Sequence, residues 1–341
     1  MARFAAIGLD HRHIYDLTQG LLDAGADCIG YNQDSTDPLV VAGFRARFPH
    51  VPEAETARLL NDPNIDFVVI AAAPHDRAGL AIAAMRRGKD VMVDKPGVTT
   101  LEQLGLVQAA AAETGRFWSV ALGRLASPAQ NEALRVVRSG ELGRLVHLTA
   151  LAPHRLNRAL RPPWFFDTQT YGGIINDIGV HSIDTLLAFA GAADAHIEHA
   201  VIGAFGTDPP GFEDFAELVL TTPSVRGYIR LDWFTPDGLP TWGDGRLFAI
   251  GTEGTLELRK NLDIEGRPGT NHLFVATRTA TRYVDCSNLA VTYYRDFVAG
   301  VISRNHTAMS QGQIFTVCRL ALQAQALATR YAAAPRSWSP C

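Results

Sequence analysis

Two stretches of the sequence combine residue types that can move a proton and steady a negative charge. In YGGIINDIGVHSIDTLLAFAG, residues 171–191, Asp177 and His181 lie four apart and Asp184 follows three later. A helix running from about Ile174 therefore carries all three on one face. A carboxylate beside an imidazole on a rigid helix suits proton transfer, because the carboxylate fixes the tautomer and the imidazole titrates near neutrality. The alternative is a polar face turned to solvent. Gly172, Gly173 and the apolar remainder argue instead for a mostly buried helix whose polar residues need partners. In VDKPGVTT, residues 93–100, Lys95 falls at the carboxyl end of a predicted parallel strand, where open α/β sheets form their ligand crevice. The bond from Lys95 to Pro96 also has an X–Pro bond's access to the cis isomer. Taken alone, so short a motif fits a surface lysine in an ordinary strand-to-helix turn better.

A third stretch, GLDHRHI, follows a hydrophobic start and looks like the phosphate turn of a dinucleotide-binding fold, but only Gly8 is present. Asp10 and His13 stand where the second and third glycines are expected. Asp10 brings a carboxylate close to the pyrophosphate or else caps the following helix. His11, Arg12 and His13 are side-chain donors able to replace part of a backbone cradle. Asp10, His11 and His13, with His75 and Asp76, also admit a zinc or manganese reading. Their spacing matches no familiar site, so capping and hydrogen bonding are expected and no metal is assigned. At the end of the second predicted strand, Asn32 occupies the place of an acidic ribose acceptor, which leaves NAD and NADP both open.

The elements that must position these residues follow from apolar periodicity. From Arg3 to about Gly123, short apolar runs alternate with amphipathic stretches, the pattern of βαβ units feeding a parallel sheet. FVVIAAA is continuously apolar, as a strand covered on both faces should be. TLEQLGLVQAAAAETG reads as a helix capped by Thr99 or Thr100, with Glu102 or Gln103 in its first turn. Beyond Gly123 the helix SPAQNEALRVVRSGELG gives way to several β-rich runs joined by turns, which imply a mostly antiparallel sheet. The expected organisation is an α/β domain over 1–123 and an α+β domain over 124–341, its last helix packing back on the first domain.

The chain has 341 residues, 47% hydrophobic and 19% charged, which suits two globular domains. A net charge of −4 without a Lys/Arg run gives no footprint for nucleic acid. No window approaches the roughly 20 apolar residues of a membrane span. Cys28, Cys286, Cys318 and Cys341 lack paired spacing. No export signal is expected at the N-terminus, and a reducing cytoplasm fits best.

LLNDPNIDFVVIAAAP, AIAAMRRGKDVMVDKP, the helix with its GG…D…G.H..D pattern, and GTEGTLEL together resemble the Gfo/Idh/MocA family of nicotinamide-dependent oxidoreductases. The resemblance covers most of the chain. It implies a Rossmann domain followed by a domain whose open sheet often forms the oligomer interface, and hence a homodimer or homotetramer. It implies NAD or NADP as cofactor and hydride transfer to or from a secondary alcohol carbon of a sugar, polyol or related cyclic compound. Lys95 is then the active-site lysine, Asp177 a substrate-orienting carboxylate and His181 the acid/base. Gly8, Asp10, His11, Arg12, His13, Asn32, Ala72, Ala73, Pro74 and Lys95 are expected along the cofactor. Departures are Asp94 for the usual glutamate before the lysine, Ala73 and Arg77 for proline and histidine, and the depleted glycine turn.

The loop APHRLNRALRPPWFFD, residues 152–167, is a candidate substrate element. His154, Arg155, Arg158 and Arg161 precede Trp164, Phe165 and Phe166, and arginines beside an aromatic plane suit a sugar ring. Packing of this loop is the competing reading, as it is for Trp233, Trp242 and Asp244. A different class of function also remains open, in which the altered turn no longer holds a dinucleotide and the fold serves non-redox chemistry or ligand binding.

Overall fold

Five apolar runs become β1 (Arg3–Leu9), β2 (Asp27–Tyr31), β3 (Phe67–Ala71), β4 (Asp90–Val93) and β5 (Trp118–Val120). They form one sheet in the order β2-β1-β3-β4-β5, and every neighbouring pair is parallel. All five residues of β3 are buried, as its unbroken apolar sequence requires of a strand covered on both faces. Outside β2, Glu53 makes a single parallel bridge to Tyr31. The chain leaves β1 toward β2 on one side and returns as β3 on the other. The carboxyl ends of β1 and β3 therefore flank the switch point at which such sheets bind ligands. The coordinates are a computed structural model and describe residues 1–32, 34–206, 209–306 and 309–332.

The connecting helices are α1 (His13–Asp23), α2 (Pro38–Arg47), α3 (Thr56–Asn61), α4 (Arg77–Arg86) and α5 (Leu101–Thr114). Thr100 caps α5: its hydroxyl accepts from Gln103 N–H at 3.1 Å, while Gln103 Oε1 accepts from Thr99 N–H at 2.8 Å. Of the alternatives the sequence offers, Thr100 is the cap and Gln103 its first-turn partner.

Further along lie α6 (Pro128–Arg138), β6 (Leu145–Pro153), α7 (Thr168–Tyr171), α8 (Val180–Ala190), β7 (His196–Ala204), β8 (Phe215–Thr221) and β9 (Arg226–Asp232). They are followed by β10 (Arg246–Gly251), β11 (Gly254–Arg259), β12 (His272–Thr277), β13 (Thr281–Asp285), α9 (Tyr293–Ser303), α10 (Gln311–Leu327) and β14 (Thr329–Ala332). The second sheet has the order β13-β12-β11-β10-β6-β9-β8-β7-β14. Its pairs are antiparallel except β6 with β9 and β7 with β14. GTEGTLEL forms a hairpin, turning at Thr252 and Glu253 between β10 and β11.

The chain clusters into two units. The first comprises 1–126, 162–172 and 291–319, and the second comprises 127–161, 173–290 and 320 onward. In the first, Gln311 at the start of α10 pairs with both main-chain groups of Trp118, at 3.1 and 2.9 Å. Phe315 stacks on the same indole at 5.7 Å. The beginning of the last long helix thus closes the β5 edge of the first sheet. Cys28, Cys286 and Cys318 are buried and form no disulfide among the described residues, and Cys341 lies outside them. Among those described, no helix is long and apolar enough to cross a membrane.

Candidate active site

Gly8 closes β1 with φ +67°, and a Cβ there would lie 2.5 Å from that of Ala72, so only glycine fits. Its N–H donates to Asn32 Oδ1 at 2.7 Å, and Asn32 Nδ2 donates to Thr56 Oγ1 at 2.6 Å. Both halves of this buried amide are committed. Asn32 therefore braces the turn against the end of β2, where the sequence suggested a ribose contact.

Asp10 is neither a lone charge facing a pyrophosphate nor a cap for α1. Arg12 is the N-cap residue of α1, without a side-chain cap. The Asp10 carboxylate accepts from Thr36 N–H at 2.5 Å, Thr36 Oγ1 at 2.8 Å, Ser35 Oγ at 3.1 Å and Ala73 N–H at 2.9 Å. It ties the loop after β2 to the end of β3. The N–H groups of Asp10 and His11 both donate to Ala71 O, at 3.1 and 3.0 Å. Two amides that a glycine-rich turn would aim at phosphate are thus spent within the sheet. The exposed Arg12 and half-exposed His13 at the start of α1 remain as side-chain donors.

The two histidines share one buried acid, a pairing that their spacing does not reveal. His11 Nδ1 and His13 Nδ1 meet opposite oxygens of Asp94, at 2.7 and 2.9 Å. Their rings lie edge to face with centroids 4.0 Å apart. Arg77 Nη2 donates to the same carboxylate at 3.0 Å, and Lys95 N–H donates at 2.8 Å. Burial, reinforced by the charge of His13, lowers the His11 imidazole to about 3. Burial alone would raise the Asp94 carboxyl, but His13, Arg77 and His11 outweigh it and hold the group well below the usual carboxylate range. Trp164 lies edge-on to His11 at 6.1 Å, so the first unit brings together two separately predicted residues.

Arg77, noted in the sequence only as a departure, organises the lysine turn. Its guanidinium is buried and donates to Ala72 O at 2.7 Å, Asp94 O at 3.0 Å, Lys95 O at 2.5 Å and Pro96 O at 2.9 Å. The planar fork suits this convergence of acceptors, which a lysine could not meet. The Lys95–Pro96 bond is cis, in line with the sequence expectation. Lys95 is half-buried immediately beyond β4. Ala72, Ala73 and Pro74 are buried in the wall beyond β3. His75 and Asp76 pair with each other at 3.1 Å in an exposed position, apart from the histidine cluster. A further signal was missed at Asp34, two residues beyond Asn32. This exposed carboxylate accepts from Thr56 Oγ1 at 3.1 Å at the carboxyl end of β2.

In the second unit, the predicted catalytic helix begins where expected but winds differently. Ile175–Gly179 form a π-turn, and α8 continues from Val180. A π-turn holds more residues per turn than an α-helix, so the four-residue spacing of Asp177 and His181 does not have regular α-helical phase. Asp177 and Asp184 are buried and His181 is half-buried. Two distant side chains cap the start: Ile174 N–H donates to Glu213 Oε2 and Ile175 N–H to Gln325 Oε1, both at 2.9 Å. Gly173 has φ +90°, and a Cβ on it would lie 2.1 Å from Gln325.

The loop residues separate in role. His154 Nδ1 donates to Ala152 O at 3.0 Å, and the ring packs between Trp233 and Trp242 at 5.2 and 4.5 Å. Lys260 lies over Trp242 at 4.4 Å, and Arg161 over Trp233 at 5.1 Å. Arg155 spends its guanidinium on the carbonyls of Pro236, at 2.8 Å, and Leu239, with an ion pair to Asp237 at 3.6 Å. Its Nη2 thereby braces the 236–239 loop.

Two family models match the chain. Residues 33–122 match the oxidoreductase family with an NAD-binding Rossmann fold, and residues 131–257 match the GFO/IDH/MocA C-terminal domain. The first match begins beyond the altered turn. The chain is 32% identical over 261 residues to 1,5-anhydro-D-fructose reductase of Ensifer adhaerens, covering 71% of each chain. It is 34% identical over 183 residues to inositol 2-dehydrogenase 2 of Saccharopolyspora erythraea, a match spanning half of each. A crystal structure from Erwinia carotovora atroseptica SCRI1043 is 39% identical, with TM-score 0.92 over 97% of this chain and 99% of that one.

Proposed function

Because the chain belongs to the Gfo/Idh/MocA oxidoreductase family, we propose that it transfers hydride between a nicotinamide dinucleotide and a secondary alcohol or ketone carbon of a sugar, polyol or related cyclic compound. The observation that carries this reading is Lys95, set in a rigid turn at the carboxyl end of β4 with Asp94 and Arg77 fixing its main chain. The dinucleotide supplies or takes the hydride when bound. Gly8 gives its phosphates room, Arg12 and His13 offer donors at the start of α1, and Ala72, Ala73 and Pro74 wall the crevice. Asp34 accepts the ribose hydroxyls and disfavours a 2′-phosphate, so NAD is preferred to NADP. The Lys95 ammonium stabilises the developing alkoxide. His181 exchanges the hydroxyl proton and Asp177 orients the substrate. The open nine-stranded sheet serves assembly as a homodimer or homotetramer in the cytoplasm.

The test is a titration with NADH and NADPH, followed by nicotinamide fluorescence and heat, and then an inositol and anhydrosugar screen. Micromolar binding is expected, tighter for NADH, with Asp34→Asn narrowing the difference. Lys95→Ala should lower kcat/KM by about 10²- to 10³-fold. If folded, nucleotide-free protein binds neither dinucleotide, the redox reading fails in favour of non-redox chemistry or ligand binding, a reading the spent amides of Asp10 and His11 favour.

A further inference from the structure

We propose that His11, His13 and Asp94 bind one divalent transition-metal cation of the zinc or manganese class. The three side chains come from two segments 81 or more residues apart, yet each offers a ligand atom and these atoms lie within 4.8 Å of one another. Two imidazoles and one carboxylate are a donor set that zinc, manganese and iron(II) accept while leaving positions open for other ligands. The surrounding hydrogen bonds are those a ligating carboxylate needs. Arg77 Nη2 and Lys95 N–H hold Asp94 in orientation without using the histidines. Loading requires each imidazole to carry its proton on Nε2 and give its Nδ1 lone pair to the cation. Ligand atoms about 2.1 Å from a tetrahedral centre stand about 3.4 Å apart. The present Nδ1–O distances of 2.7 and 2.9 Å would therefore open by about 0.7 and 0.5 Å. His13 is 49% exposed, which gives the cation a path from solvent. A dication beside Arg77 leaves the site with excess positive charge, so the remaining position favours an anionic oxygen ligand. The turn has exchanged two glycines for a carboxylate and an imidazole, and this site accounts for His11 and His13 pointing inward at one acid.

The inference stands apart from the hydride-transfer reading, because metal binding is read without nucleotide. Tag-free full-length protein is stripped with chelator and titrated with Co²⁺ by visible absorption and with Zn²⁺ by calorimetry. The expected result is one ion per chain, with cobalt ligand-field bands that zinc abolishes. His13→Gln, a partly exposed position whose variant is checked for folding by circular dichroism, should weaken binding by more than about tenfold. His75→Gln should leave it unchanged. Absence of stoichiometric binding, or binding that His13→Gln leaves intact, overturns the proposal.

Discussion

Arg77 is 1% exposed and faces a carboxylate that is equally buried, an arrangement whose desolvation cost is offset only if every donor is used. Here its main-chain acceptors span the lysine turn, so the guanidinium compensates Asp94 and clamps the backbone together. Arg77→Met leaves Asp94 with less compensation and several carbonyls without their donor. It should lower unfolding free energy by about 3–5 kcal/mol in denaturant titration. Arg77→Lys keeps the charge but loses the fork, and should recover only part of that loss. A cost below about 0.5 kcal/mol for Arg77→Met, the level of an ordinary surface change, would show that the turn does not depend on it. Gly8 and Lys95 could be located in the sequence because their positions follow from strand ends. Arg77 could not, since four of its acceptors are backbone carbonyls that any sequence would present.

At the scale of elements, the run from Ile174 shows how tertiary contacts decide what local pattern leaves open. Its helical period was readable, but not the π-turn, whose start is fixed by Glu213 and Gln325 acting 39 and 150 residues away. Gln325 also leaves no room for a side chain at Gly173. Gly173→Ala combines a left-handed backbone with a collision and should destabilise the protein by about 1–3 kcal/mol from backbone strain alone, with the contact adding to it. The measurement is thermal unfolding of the variant, and an unchanged Tm would mean that neither the left-handed backbone nor the Gln325 contact requires glycine there. The parallel strands and the cap of α5 were legible because their signals are local. The inward turn of His11 and His13 was not, because Asp94 reaches them only through the pairing of β1 with β3 and β3 with β4.

For the whole molecule, two half-buried imidazoles tie stability to acid. In the first unit, His306 stacks on Phe117 at 3.7 Å, and burial lowers its pKa despite the opposing charge of Asp90. In the second, burial lowers His147 on β6, with Arg226 acting in the same direction. In each case the folded value lies below the ordinary 6.5. Between the folded and unfolded values the unfolded chain holds the extra proton. The stability these groups contribute is therefore complete above the unfolded value and is lost as pH falls through and below it. One fully coupled imidazole steepens this fall by at most about 1.4 kcal/mol per pH unit, and partial exposure makes the effect smaller. His306→Gln and His147→Gln should each flatten the acid limb of unfolding free energy, and the double variant should flatten it further, whatever each change does to stability at neutral pH. The slope below pH 6.5, measured by denaturant titration at a series of pH values, is the readout. A double variant with the parent slope would assign the acid limb to other groups, because neither imidazole would then differ in proton affinity between the folded and unfolded chain.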